Sequence, residues 1–120
     1  MTSRYQIDRI KISKTNLSKT VCFLNDCIKN KKYGYVCVTN ARTTFLANRN
    51  IDYCKIQNNS LITVPDGMPL VWIANNNGYS DVGKVSGKDL MDEVFKVSVK
   101  NGYSHFFLRM LKRYYKTYEK

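Results

Sequence analysis

Short runs of β-branched, uncharged residues alternate along this chain with segments whose apolar residues recur every three to four positions, and only a few residues separate one from the next. That alternation predicts an α/β domain built on a mostly parallel sheet flanked by helices, since a helix between two strands returns the chain to start a strand in the same direction. "YVCVT" (35–39) and "LITV" (61–64) read as short strands, the first of them buried. "IDRIKIS" (7–13) is a weaker strand signal suited to a sheet edge, and "YSHFFL" (103–108) reads as a fourth, buried strand.

The helical segments are as regular. Leu17, Val21, Leu24 and Ile28 fall on one face, with Thr15 or Asn16 available as the N-cap and Gly34 as the terminator. "ARTTFLANRN" (41–50) forms a helix with Phe45 and Leu46 inward, and a second short helix runs through Tyr53 and Ile56. "MPLVWIANN" (68–76) carries Pro69 in its first turn, where a missing N–H costs least. Leu90, Met91, Val94, Phe95 and Val97 or Ser98 define a last helix, closed by Gly102 at its C-terminal cap.

A length of 120 residues suits one domain with a single core. Hydrophobic content of 43% and charged content of 24% are ordinary for a folded protein. The first residues, MTSRYQIDRIKISK, lack the apolar centre of a signal peptide, and no apolar run reaches bilayer-spanning length, so the chain is expected in the cytoplasm. Cys22, Cys27, Cys37 and Cys54 form no C-x-x-C pair and His105 stands far from them, which argues against zinc; three of the four thiols lie in apolar surroundings and read as reduced and buried. A net charge of +11 favours an anionic partner without choosing one. Residues 109–120 concentrate it, with five basic residues against one acid. In "FFLRMLKRYYKTYEK" (106–120), Phe107, Met110 or Leu111, Tyr114 and Tyr118 fit either a basic amphipathic helix on an anionic membrane or a surface helix packed on the sheet. Interleaved Tyr and Lys or Arg would also suit single-stranded nucleic acid, but no RNP-type or helix-turn-helix signature accompanies them.

Within "LITVPDGMPLVW" (61–72), Asp66 falls between a strand end and a helix start. Functional groups of α/β sheets collect beyond the carboxyl ends of strands, and Asp66 stands where such a crevice residue would. Pro-Asp-Gly is also an ordinary turn, with Gly67 tolerating positive φ. In "VTNAR" Thr39 or Asn40 could simply cap the next helix, and in "VSGKDL" Ser86 or Asp89 could do the same; the latter lacks the spacing of a phosphate loop. The sequence contains no Asp-x-Asp pair, and nothing suggests a Ser/His/Asp or Cys/His catalytic set.

Taken in order, "VTNAR", "TVPDGMPLVW" and "KVSGKDLM" resemble the WecG/TagA/CpsF family, glycosyltransferase family 26, over about residues 5–107, the N-terminal half of its catalytic domain. The resemblance implies transfer of N-acetylmannosamine or a related sugar from a UDP-sugar to a lipid-linked saccharide, in cell-wall or surface polysaccharide synthesis such as that of teichoic acid or exopolysaccharide. It places the protein peripherally at the inner face of the bacterial cell membrane. It further implies an inverting reaction without metal or other cofactor, Asp66 as catalytic base, and a substrate pocket containing Thr39, Asn40, Gly67, Lys84, Gly87 and Asp89. Two positions depart from the family pattern: Val38 stands where Thr is common, with Thr39 beside it, and Lys84 stands where Arg is usual. The small Gly-containing loop of the family is absent after Phe107, which implies residues 1–108 as an incomplete domain and 109–120 as a tail. Two readings of that tail stay open, an out-of-frame end of a truncated enzyme or an anionic-membrane or partner-binding segment of a short inactive protein.

Overall fold

A computed structural model describes residues 3–105. The chain opens with a hairpin of β1 (Arg4–Ile7) and β2 (Ile10–Ser13), paired antiparallel with Ile7 opposite Ile10. The single edge strand expected over 7–13 is therefore corrected. Asp8 turns at φ 54°, a conformation Asp tolerates, and the two-residue loop reverses the chain inside the expected strand. Ile10 and Ile12 are fully buried rather than at a margin.

Helix α1 (Leu17–Lys29) follows, its Asn16 side chain accepting from the Lys19 N–H. It ends at Lys29, before Gly34, because Asn30 caps it and Lys31 takes φ 52°. Next come β3 (Val36–Thr39), α2 (Ala41–Arg49), α3 (Ile51–Asn58), β4 (Ile62–Pro65), α4 (Met68–Asn76) and α5 (Gly87–Asn101). β3 and β4 pair in parallel, Thr39 opposite Pro65, and the described residues form a mixed α/β fold with two small sheets. The two sheets touch where the buried Thr63 N–H donates to Ser13 Oγ at 2.9 Å.

Side chains divide by strand parity. Ile62 and Val64 pack with Val85, Leu90 and the apolar faces of α1 and α5. A second cluster joins Tyr5, Ile10 and Ile12 of the hairpin to Ala47, Cys54, Leu70, Val71 and Ala74. β4 is buried throughout, whereas β3 is less enclosed than expected: Val38 is 39% exposed, and among the described residues β3 pairs with β4 alone.

Phe45 and Leu46 were expected inward on α2 and are exposed at 57% and 45%. The inward residues are Thr44 and Ala47, because Thr44 is drawn to the Thr39 hydroxyl and fixes the helix phase. Of the four thiols, Cys27 and Cys54 are buried, Cys37 is half-buried and Cys22 is exposed. Residues 103–105 are not strand, and the rest of the expected fourth strand and the basic tail lie outside the described residues. Among the described residues no helix is long and apolar enough to cross a membrane.

Candidate active site

The carboxyl end of the β3–β4 pair gathers most of the residues singled out by sequence. Thr39 and Pro65 end adjacent strands, and the Asp66 N–H donates to the Thr39 carbonyl at 2.7 Å, tying the Pro-Asp-Gly turn to the end of β3. One residue on, Gly67 sits at φ 151°, ψ 143°, a region in which a side chain would clash, so the turn requires glycine. Gly67 also occupies the cap position of α4 without a side-chain hydrogen bond. Asp66 is therefore not consumed as a helix cap. It is half-buried, and among the described residues its carboxylate has no hydrogen-bond or ion-pair partner.

Asn40 is exposed and caps α2 through a reciprocal arrangement, its Oδ1 accepting from the Thr43 N–H at 2.9 Å while Thr43 Oγ1 accepts from the Asn40 N–H at 2.8 Å. That assignment turns the two N–H donors of Asn40 outward with no partner among the described residues. Thr39 differs. It is fully buried, and its hydroxyl bonds those of Thr43 at 2.8 Å and Thr44 at 2.9 Å, so it fixes the strand end rather than offering a free donor.

The loop before α5 joins the same end because the Val85 N–H donates to the Pro65 carbonyl at 2.8 Å. This bond brings Lys84 and the N-terminus of α5 beside the turn. Lys84 is exposed and forms no ion pair among the described residues. Gly87 begins α5, where an added Cβ would meet only Val38 Cγ2 at 4.0 Å, an ordinary contact, so nothing in the described chain forbids a side chain there. Ser86 is the cap, accepting from the Asp89 N–H at 3.1 Å, and the exposed Asp89 places its charge in the first turn of α5, where the helix dipole favours it. The structure thus brings Asn40, Asp66, Gly67, Lys84 and Gly87 to the carboxyl end of the β3–β4 pair, buries Thr39 there and leaves Asp89 in the first turn of α5.

Sequence reasoning missed Thr43, Thr44 and Val85, which hold the crevice together. The Asn-x-x-Thr spacing of a capping box was the available signal for Thr43; a backbone donor such as Val85 leaves none. Among the described residues no three His, Cys, Asp or Glu side chains are grouped to hold a metal ion.

No curated protein sequence matches the chain. The sequence model of the glycosyl transferase WecG/TagA/CpsF family matches residues 5–113, beyond Phe107, where the motif resemblance ends. With nearly its whole length matched, and with the family's ordered motifs converging on one end of the parallel strand pair, this chain belongs to the WecG/TagA/CpsF glycosyltransferase family.

Proposed function

We propose that the crevice at the end of β3 and β4 is a sugar-transfer site in which Asp66 is the general base. The observation that carries this reading is the half-buried Asp66 carboxylate, unpartnered among the described residues, held by its own backbone N–H and not spent on capping α4. In the reaction the acceptor hydroxyl gives its proton to Asp66 as its oxygen bonds to the anomeric carbon. The bond from that carbon to the nucleotide oxygen breaks, and UDP departs with the electron pair. Attack opposite the leaving group inverts the anomeric centre. A carboxylate suffices because the base need only accept the proton as the oxygen becomes nucleophilic.

The N-termini of α2, α4 and α5 open at this end of the strand pair, where the helix dipoles favour the negative charge that develops in the transfer. The outward N–H donors of Asn40 supply hydrogen bonds to a sugar or phosphate oxygen. In this reading the donor is a UDP-hexosamine, the acceptor a lipid-linked saccharide and the location the inner membrane face; family membership supports sugar transfer between a donor and an acceptor. The lack of an Asp-x-Asp pair in the sequence suits a reaction without a bound metal.

The test is transfer by the full chain from UDP-N-acetylmannosamine to a short-chain lipid-linked saccharide, compared between the parent and Asp66→Asn. The expected loss is about 100-fold to 10,000-fold, the usual weight of a general base, with the far-ultraviolet circular dichroism unchanged. Equal rates would refute the base assignment, and a parent without transfer would refute the reading for this chain.

A further inference from the structure

A polar cleft shares no lining residue with Asn40, Asp66, Gly67, Lys84 and Gly87. It measures about 250 Å³ and is walled by Ser3, Lys14, Lys19, Tyr79, Ser80 and Asp81. That is below the roughly 300 Å³ at which pockets begin to enclose whole ligands, so it suits a polar headgroup. Lys14 Nζ sits 3.8 Å from the centre of the Tyr79 ring, which holds the cation in place without neutralising it. Lys14 has no carboxylate partner among the described residues, while Lys19 meets Asp81 at 3.4 Å. The cleft keeps a net positive charge.

Its position adds to that charge. Lys19 lies in the first turn of α1, which carries no acidic residue, so a cation stands where the helix dipole already disfavours one. An arriving anion would relieve both. The cleft also adjoins the crevice. The Gly83 N–H donates to the Thr15 carbonyl at 3.1 Å and the Val85 N–H donates to that of Pro65, so one loop runs from the cleft wall to the Pro-Asp-Gly turn. Asp81 and Val85 are four positions apart, a span of at most ~14 Å along the chain.

We infer that this cleft is a diphosphate-binding subsite, in which Lys14 and Lys19 hold the diphosphate of a substrate whose sugar or hydroxyl end reaches Asp66. The inference deepens the sugar-transfer reading and rests on it for the second half of that statement, whereas anion binding at Lys14 stands on the cleft alone. Two sources carry this chemistry, a nucleoside diphosphate and a prenyl-type lipid diphosphate.

Titration of the full chain with inorganic pyrophosphate, UDP and geranyl diphosphate, followed by calorimetry, tests the inference without requiring transfer. The parent is expected to bind pyrophosphate, and Lys14→Gln to weaken that binding at least tenfold, while Lys100→Gln in the last turn of α5 leaves it unchanged. Lys14→Arg should retain most of it. A Lys14 dependence for UDP assigns the nucleotide source, and one for geranyl diphosphate assigns the lipid source. Absence of pyrophosphate binding, or equal affinities for parent and Lys14→Gln, overturns the subsite. Loss of transfer in Asp66→Asn with pyrophosphate binding intact would leave both readings standing, and their failures remain separable.

Discussion

Tyr5 brings a phenol into the core and gives its proton a single route, donating to the Leu70 carbonyl at 3.1 Å. Burial pushes its pKa up to about 12, from an ordinary value of about 10. The folded state therefore holds this proton more tightly than the unfolded one, so the stabilisation is complete below about pH 10 and is lost as pH rises toward about 12. Tyr5→Phe should cost about 1 kcal/mol at neutral pH for the lost hydrogen bond, and should flatten the alkaline decline relative to the parent. Urea unfolding of both proteins at neutral and alkaline pH reads the difference; parallel curves would mean that Tyr5 does not titrate with folding. Single residues were unevenly legible in the sequence. Asp66 could be placed beyond a strand end because its neighbours set the turn, whereas the burial of Thr39 depends on Thr43 and Thr44 meeting it in space. Lys14 and Tyr79 are 65 residues apart, and no local pattern announces their contact.

At the scale of elements, α2 is held at its start by the Asn40–Thr43 capping box, and that same cap leaves the side-chain N–H donors of Asn40 without a partner among the described residues. Asn40→Ala should destabilise the fold by about 1 kcal/mol, the typical value for a lost N-cap. Asn40→Ser should restore most of that stability but not the outward N–H groups, so a defect in substrate affinity shared by both variants would belong to binding and not to folding. Chemical denaturation together with donor titration separates the two, and full recovery of affinity in the Ser variant would remove Asn40 from the pocket. The existence of every described helix was legible from periodicity and caps, but the phase of α2 was not. Its inward face carries the small Thr44 and Ala47, which a hydrophobic pattern ranks below Phe45 and Leu46. The hairpin left a clearer trace than was read: Tyr5, Ile7, Ile10 and Ile12 keep period-two spacing on each side of Asp8 and Arg9, and the break in parity is what a two-residue loop produces.

At the scale of the whole molecule, the decisive question is how the two two-stranded sheets of the described residues behave as one body. Polar contacts carry much of the junction. The Arg4 guanidinium donates to the carbonyls of Lys11, Gln57 and Ser60 and to Thr63 Oγ1, spanning hairpin, α3 and β4. Burial lowers its pKa, while the neighbouring Cys37 and Tyr35 act in the opposite sense. Deeper in, Ser13 Oγ accepts the Thr63 N–H, and both residues are fully closed to solvent. Thr63 sits opposite Cys37 in the parallel pair, two positions before Pro65, whose carbonyl anchors the loop carrying Lys84. The hairpin is thereby coupled to the strand that presents Asp66. Ser13→Ala would leave a buried amide donor without its acceptor, a loss of about 1–3 kcal/mol, and should speed hydrogen exchange at the Thr63 amide more than at amides in the middle of α1. If exchange at Thr63 and the unfolding free energy both stay at parental values, the junction does not depend on the Ser13 hydroxyl. If Thr63 opens while α1 stays protected, the two sheets separate locally before the molecule unfolds, and the Ser13 hydroxyl is one of the contacts that hold them together.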